Sequence, residues 1–272
     1  MTALAVLAIG GASVPAVAQV RDLRWDHVAD PVAVGLGGIA WLTSELLKST
    51  LVPSACRWCD VDGLDLGVRN ALRWQSTSAA GTASGVIAFG LAPIAAALTL
   101  GLAADHDHAF RRDIVGDVVI VGEATVLAMD LDQLTKFVVA RERPFARALG
   151  PDERSHRADP DDDLSFFSGH TTATFALAAA AGTVATMRGY RWAPATWIAG
   201  GILATATGYL RIAADKHWLT DVLTGMIVGT AVGVLVPVAF HSPRGMPAGT
   251  DAGAVSPSRA GAPVTASLSF AW

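Results

Sequence analysis

Residues 85–104 read GVIAFGLAPIAAALTLGLAA, twenty in a row without a charge. A run of that length and apolarity, without alternation of polar and apolar positions, predicts a helix able to cross a bilayer. Three more charge-free stretches follow at 171–187, 192–210 and 222–240. They are rich in Ala, Gly and Thr, which enter a membrane less readily than Leu or Ile. Two further apolar segments carry charges: 114–129 holds Asp117 and Glu123, and 32–52 holds Glu45 and Lys48. The pattern predicts an all-α protein, a bundle of about six helices, mostly membrane-spanning, with its functional residues at one end.

Composition agrees. Hydrophobic residues make up 52% of the 272 and charged residues 16%, against about 25% charged in an ordinary soluble domain. The net charge of −4 gives no general basic field, which argues against a nucleic-acid partner. No feature marks an obligate protein partner. Residues 1–18 end in Ala16-Val17-Ala18 and resemble a secretory signal, although no Lys or Arg precedes Arg21. The helical domain is expected over 19–240, and Gly, Pro and Ser mark 241–272 as a flexible tail. Within that tail, Val264, Ala266, Leu268, Phe270 and Trp272 alternate with small residues like a barrel strand without companions. Cys56 and Cys59 fit a redox dithiol, half a zinc site, a local disulfide or two inert thiols. No second Cys or His pair completes a zinc site, and a disulfide suits an exported loop.

Polar residues cluster where the apolar segments end. Lys136-x6-Arg143-Pro144 follows the third segment, Ser168-Gly169-His170 precedes the fourth, and Arg211-x5-His217-x3-Asp221 joins the fifth to the sixth. In an antiparallel bundle the end of one helix and the start of the next share a side, so these residues converge. Lys136 and Arg143 are spaced by two turns and would share one helix face. Asp221, one turn beyond His217, can accept from one ring nitrogen and leave the other as a nucleophile. Ser168 and the Gly169 amide, at a helix start, can cradle an anion. Three cations, two imidazoles and a carboxylate form a set suited to phosphate-ester cleavage beside a membrane.

Taken alone, each feature has a plainer explanation: a snorkelling anchor for a lone Lys or Arg, a cap for a lone His, a turn for Ser-Gly-His. Asp105-His106-Asp107-His108 lies at the opposite helix ends and suits a solvated loop rather than a metal site. Asp159 to Asp163 lack the Gly and Glu of a calcium loop and suggest solvated acid. Arg141, Arg147, Arg154 and Arg157 either steer anionic headgroups or merely keep their loop wet, with steering the favoured reading.

In order, spacing and identity the three blocks resemble the type 2 phosphatidic acid phosphatase family, whose superfamily includes soluble acid phosphatases and vanadium haloperoxidases. The resemblance runs from Lys136 to Asp221, with Phe167 where the family has Pro and Leu210 where it has Ser. It implies that His217 attacks phosphorus to form a phosphohistidine and that Asp221 orients it. It implies that His170 protonates the leaving oxygen, and that Lys136, Arg143, Arg211, Ser168 and Gly169 bind the phosphoryl oxygens. The expected activity is a phosphoric monoester hydrolase acting on a lipid phosphate or pyrophosphate, with no metal and no cofactor, and with vanadate as an inhibitor. Three rivals stand beside it: a vanadium-dependent haloperoxidase, a soluble periplasmic acid phosphatase, and a non-catalytic membrane protein that binds lipid phosphate. If 32–52 does not span, an exported leader sets the site on the periplasmic face of a bacterial-type inner membrane. If 32–52 spans, the side inverts.

Overall fold

The computed structural model describes residues 20–149, Glu153 and residues 159–243. The predicted leader 1–18, the tail from residue 244 onward, Arg154 and Arg157 lie outside the described residues. Regular structure among the described residues is helical, apart from isolated bridges pairing Leu23 with Pro243 and Trp58 with Arg141.

The chain begins with α1 (Ala29–Leu46), α2 (Lys48–Leu51) and α3 (Gly63–Leu72). One continuous helix follows, made of α4 (Thr77–Val86), a π-helical turn (Ile87–Leu91) and α5 (Ala92–His106). Pro93 explains the turn: it has no N–H for the carbonyl one turn back, and its ring crowds that carbonyl, so the ladder widens. Then come α6 (Phe110–Val139), the short α7 (Pro144–Arg147), α8 (Gly169–Arg188), α9 (Ala193–Ala213) and α10 (Leu219–Phe240).

Small residues let the backbones meet at the centre. A Cβ at Gly229 would lie 2.5 Å from the Thr172 carbonyl oxygen, and one at Gly233 2.5 Å from that of Ala176. These glycines sit one turn apart on the face that α10 presents to α8, the close approach that small-residue spacing permits in membrane bundles. The outer faces are apolar. Val32, Leu36, Ile39, Leu42 and Leu46 are each about half exposed or more along one stripe of α1, as are Ile198 and Ile202 on α9. So much exposed apolar surface fits a lipid surround better than water. Thr77–His106 and Leu219–Phe240 are long and apolar enough to cross a membrane.

Several expectations need correction. α6 runs on to Val139, so Lys136 lies inside its last turn, and Ala140, at φ 45°, ends the helix. Arg143 lies past that break and shares no helix face with Lys136; the two meet because the chain turns back. Glu45 and Lys48 do not interrupt a membrane segment. α1 stops at Leu46, and both charges stand at the site end of the bundle, where Glu45 accepts a 2.9 Å hydrogen bond from Gln133 Nε2. At its other end Asp30 approaches the His241 that contacts Glu123, so α1 runs parallel to α6. The tail begins later than residue 241, because His241 is buried against the bundle. Asp117, in the apolar middle of the chain, is neutralised by Arg188 Nε at 2.7 Å and bonded by the Tyr190 hydroxyl at 2.8 Å.

Candidate active site

Where α6, α8 and α9 end or begin, a cavity of about 410 Å³ opens, lined by Lys136, Arg143, Gly169, His170, Arg211 and His217. Helix termini deliver each of these: the last turn of α6, the first of α8, the last of α9, and the link into α10. The charges lie there because a charge in mid-bundle costs about 2.5–3.5 kcal/mol on an insertion scale. Trp41, Glu45, Lys48, Phe89, Met129, Asp132, Gln133, Asp161 and Lys216 complete the wall.

His217 is held in one tautomer. Its Nδ1 lies 2.8 Å from the Ser165 carbonyl oxygen, which can only accept, so Nδ1 carries hydrogen and Nε2 keeps its lone pair. Burial, then Arg143, Arg211 and Lys136, push the pKa of His217 well below the ordinary histidine value, which keeps the ring neutral. Asp221 is not the direct partner expected. It stands 3.6 Å from Nδ1 and accepts instead from the Ser165 hydroxyl at 2.5 Å, Arg141 Nη1 at 2.5 Å and the Trp218 amide at 2.9 Å. Asp221 therefore orients His217 through Ser165. The Ser165 hydroxyl grips the carboxylate while its carbonyl grips the ring.

Arg141, read from sequence as a steering cation, is almost wholly buried and serves the scaffold. Its Nη2 lies 2.6 Å from Asp65 of α3, and its guanidinium stacks 4.0 Å from the centre of the Trp58 ring. Arg147 also turns inward, to Glu142 and the Cys59 carbonyl. Cys56 and Cys59 are joined by a disulfide on this side of the bundle.

Ser168 is fully buried, with its hydroxyl 2.8 Å from that of Thr171, and it does not line the cavity. Gly169 does, and its lack of a side chain is steric: a Cβ there would meet Asp132 Oδ2 at 2.6 Å and Lys136 Nζ at 2.8 Å. Asp132, one turn before Lys136, bonds that ammonium at 2.6 Å. The guanidiniums of Arg143 and Arg211 are buried with each Nε unpaired among the described residues, while Arg211 Nη1 donates to Ser84 at 3.2 Å. Unspent donors of this kind suit an anionic ligand. His170 rests edge-on against Phe89, ring centres 4.9 Å apart.

The acidic loop is no solvated bystander. Asp161 reaches Lys48 at 3.0 Å and Arg143 at 3.7 Å. Burial opposes its ionisation, yet Arg143 and Lys48 outweigh that and hold it well below the usual carboxylate range. Lys216 is half-buried with its ammonium 4.2 Å from the Phe145 ring centre; burial, then Arg143 and Arg211, depress its pKa. The wall thus carries five cations (Lys48, Lys136, Arg143, Arg211 and Lys216) against three carboxylates (Glu45, Asp132 and Asp161), a surplus of two charges with neutral imidazoles. That surplus matches a phosphoryl dianion.

As members of the site, Asp65, Asp132, Ser165, Lys48 and Lys216 escaped the sequence reading, which took Lys48 only as a charge within 32–52. Only Asp132 carried a local signal, its place one helical turn before Lys136.

Residues 117–243 match the PAP2 superfamily. Over 112 residues the chain is 31% identical to an undecaprenyl-diphosphatase of Sulfolobus acidocaldarius, a match covering 40% of this chain and 48% of that protein. The chain therefore spans about half the length of the curated relative it matches. Among solved structures it is similar to the first transmembrane PAP2 type phosphatidylglycerolphosphate phosphatase from Bacillus subtilis, at 16% identity and a TM-score of 0.43, over 77% of this chain and 94% of that one.

Proposed function

We propose, from the match of residues 117–243 to the PAP2 superfamily, a membrane phosphatase that hydrolyses a lipid phosphate or pyrophosphate ester through a phosphohistidine on His217. The observation that carries the reading is the His217 ring, its Nδ1 committed to the Ser165 carbonyl, in a cavity walled by Lys136, Arg143 and Arg211. In the first half-reaction the Nε2–phosphorus bond forms as the phosphorus–oxygen bond to the leaving group breaks. His170, protonated as the anionic substrate enters the cavity and offsets the cations around the ring, gives that proton to the departing oxygen. In the second, His170 takes a proton from water, whose oxygen displaces the His217 nitrogen and releases phosphate. The three cations stabilise the equatorial oxygens as charge builds, a role that divalent ions fill in other phosphatases. Asp221 offsets the charge on His217 through the Ser165 relay.

Two features support an amphiphilic substrate with more than one phosphoryl group. A second cavity of about 300 Å³, walled mainly by apolar side chains, shares Trp41, Phe89 and Met129 with the catalytic one and can take a hydrocarbon tail. Lys48 and Lys216 add two cations beyond the motif set, and the Sulfolobus relative is named for a diphosphate.

The side of the membrane follows from α1. If α1 crosses the bilayer, Val20 and the catalytic cavity face opposite sides, so an exported Val20 and a periplasmic site exclude one another. The disulfide at Cys56 and Cys59, on the cavity side, favours an oxidising compartment and hence a periplasmic site. Labelling single cysteines with an impermeant reagent in intact cells decides it, in a background lacking Cys56 and Cys59. Gln75→Cys on the cavity side should react and Arg111→Cys at the far end should not; the reverse pattern would place the site in the cytoplasm.

The chemistry is tested by alkaline detergent quench of purified protein with a prenyl diphosphate labelled in its terminal phosphate. Wild type and His170→Ala should yield a base-stable, acid-labile phosphoenzyme, and His217→Ala should yield neither phosphoenzyme nor turnover. Near-normal turnover in His217→Ala would overturn the mechanism.

A further inference from the structure

At the end of the bundle away from the cavity, the first turn of α1, the middle of α6 and the residue after α10 bring Asp30, Glu123 and His241 together. One ligand atom from each lies within 4.8 Å of the others. His241 is 3% exposed. Its Nδ1 lies 2.8 Å from the Arg24 carbonyl oxygen, which accepts only, so Nδ1 carries hydrogen. Its Nε2 then faces Glu123 Oε2 at 3.1 Å. A ring lone pair and an ionised carboxylate repel at that distance unless a cation joins them. We propose that Asp30, Glu123 and His241 form a binding site for a divalent transition-metal ion such as Mn²⁺ or Zn²⁺, which staples α1, α6 and α10 together at the end opposite the catalytic cavity.

Three observations favour a metal ion over a second proton on the ring. Nitrogen and oxygen ligands each about 2.1 Å from an ion, at an angle near 95°, are about 3.1 Å apart, the separation found here. An imidazole whose Nδ1–H donates to a backbone carbonyl while Nε2 points at an acidic ligand is the arrangement that usually stands behind a metal-bound histidine. Charge also balances: two carboxylates face one ring, and a single proton would leave an excess negative charge that a divalent ion removes. Of the other charged groups at this site, Arg24 turns its Nε to the Ser242 carbonyl, and Asp26 caps the start of α1 through the amides of Val28 and Ala29. Asp30 Oδ2 accepts from the Asp26 amide at 2.8 Å and lies 3.8 Å from His241 Nδ1, and a carboxylate keeps further lone pairs for an ion. A cavity of about 480 Å³ opens beside the cluster and leaves room for water ligands.

The test uses full-length protein without a histidine tag, purified in detergent, stripped with chelator and titrated with MnCl₂ or ZnCl₂. The expected result is one ion per chain by elemental analysis, and a thermal midpoint several degrees above that of the stripped protein. His241→Gln and Glu123→Gln should each lose both the ion and the shift. The triple variant His27→Gln/His106→Gln/His108→Gln, which removes the other histidines at that end, should keep both. Phosphatase rate below the unfolding range should be unchanged in all three, because none touches the catalytic cavity. Retention of one ion in His241→Gln would overturn the proposal. So would an absence of bound ion in wild type, where a midpoint that rises on acidification would identify a protonated ring as the staple.

Discussion

Replacing Asp221 by Asn separates a relayed carboxylate from a direct one. The amide keeps an oxygen for the Ser165 hydroxyl and the Trp218 amide, but its NH₂ group turned toward Arg141 meets another donor. Breaking a buried ion pair costs about 3–5 kcal/mol. Arg141 keeps its second carboxylate, Asp65 at 2.6 Å, so roughly half of that is expected, about 2 kcal/mol, or a fall in thermal midpoint of about 4–8 °C. The catalytic loss should be modest. The Ser165 carbonyl still fixes the His217 tautomer, so kcat should drop about 10–100-fold, equivalent to about 1.4–2.8 kcal/mol of transition-state stabilisation. Where a carboxylate accepts directly from Nδ1, as in a Ser-His-Asp triad, the same change costs about 10,000-fold because the wrong tautomer is populated. Steady-state rates on a prenyl diphosphate in micelles, with melting curves in the same detergent, measure both. A loss near 10,000-fold with an unchanged midpoint would refute the relay.

Turnover should persist in EDTA and be inhibited by vanadate; loss in chelator that magnesium or zinc restores, at temperatures where the fold is intact, would indicate a metal-dependent reaction instead. Gly229→Val should lower the thermal midpoint substantially, at a cost of about 3 kcal/mol or more, since even a Cβ there lies 2.5 Å from a backbone oxygen; a change under 1 °C would show that α8 and α10 separate easily. His217 has a depressed pKa when folded, so the unfolded chain takes up that proton first and stability falls as pH drops below about 6.5. His217→Gln should therefore show a flatter midpoint-against-pH curve between pH 5 and 7 than wild type, and identical slopes would contradict the assignment.

The sequence located the site because a charge amid apolar helices has few places to go. Lys136, His170, Arg211 and His217 could be assigned to one end from helix order alone, and they line one cavity. Local spacing misled where the backbone departs from a helix: the break at Ala140 separates Lys136 from Arg143, and the turn before α10 gives His217 to the Ser165 carbonyl. Glu45 and Lys48 looked central because the apolar run was taken through residue 52, whereas the helix stops at Leu46. Asp65 was beyond reach of any pattern, since its partners Arg141 and Thr220 are 76 and 155 positions away.

Trp41, Glu45, Lys48, Ser84 and Phe89, which wall the cavity or brace its cations, all precede residue 117, where the family match begins. Much of the wall proposed to judge the substrate is thus written apart from the proposed reacting groups, with Met129 and Lys216 as exceptions. Exchanging residues 29–106 between relatives should move substrate preference while leaving the chemical step in place. One residue resists such a transplant: Asp65 clasps Arg141 and so supports the bed of the nucleophile. A graft that omits an acid at that position should carry the new preference and lose the rate.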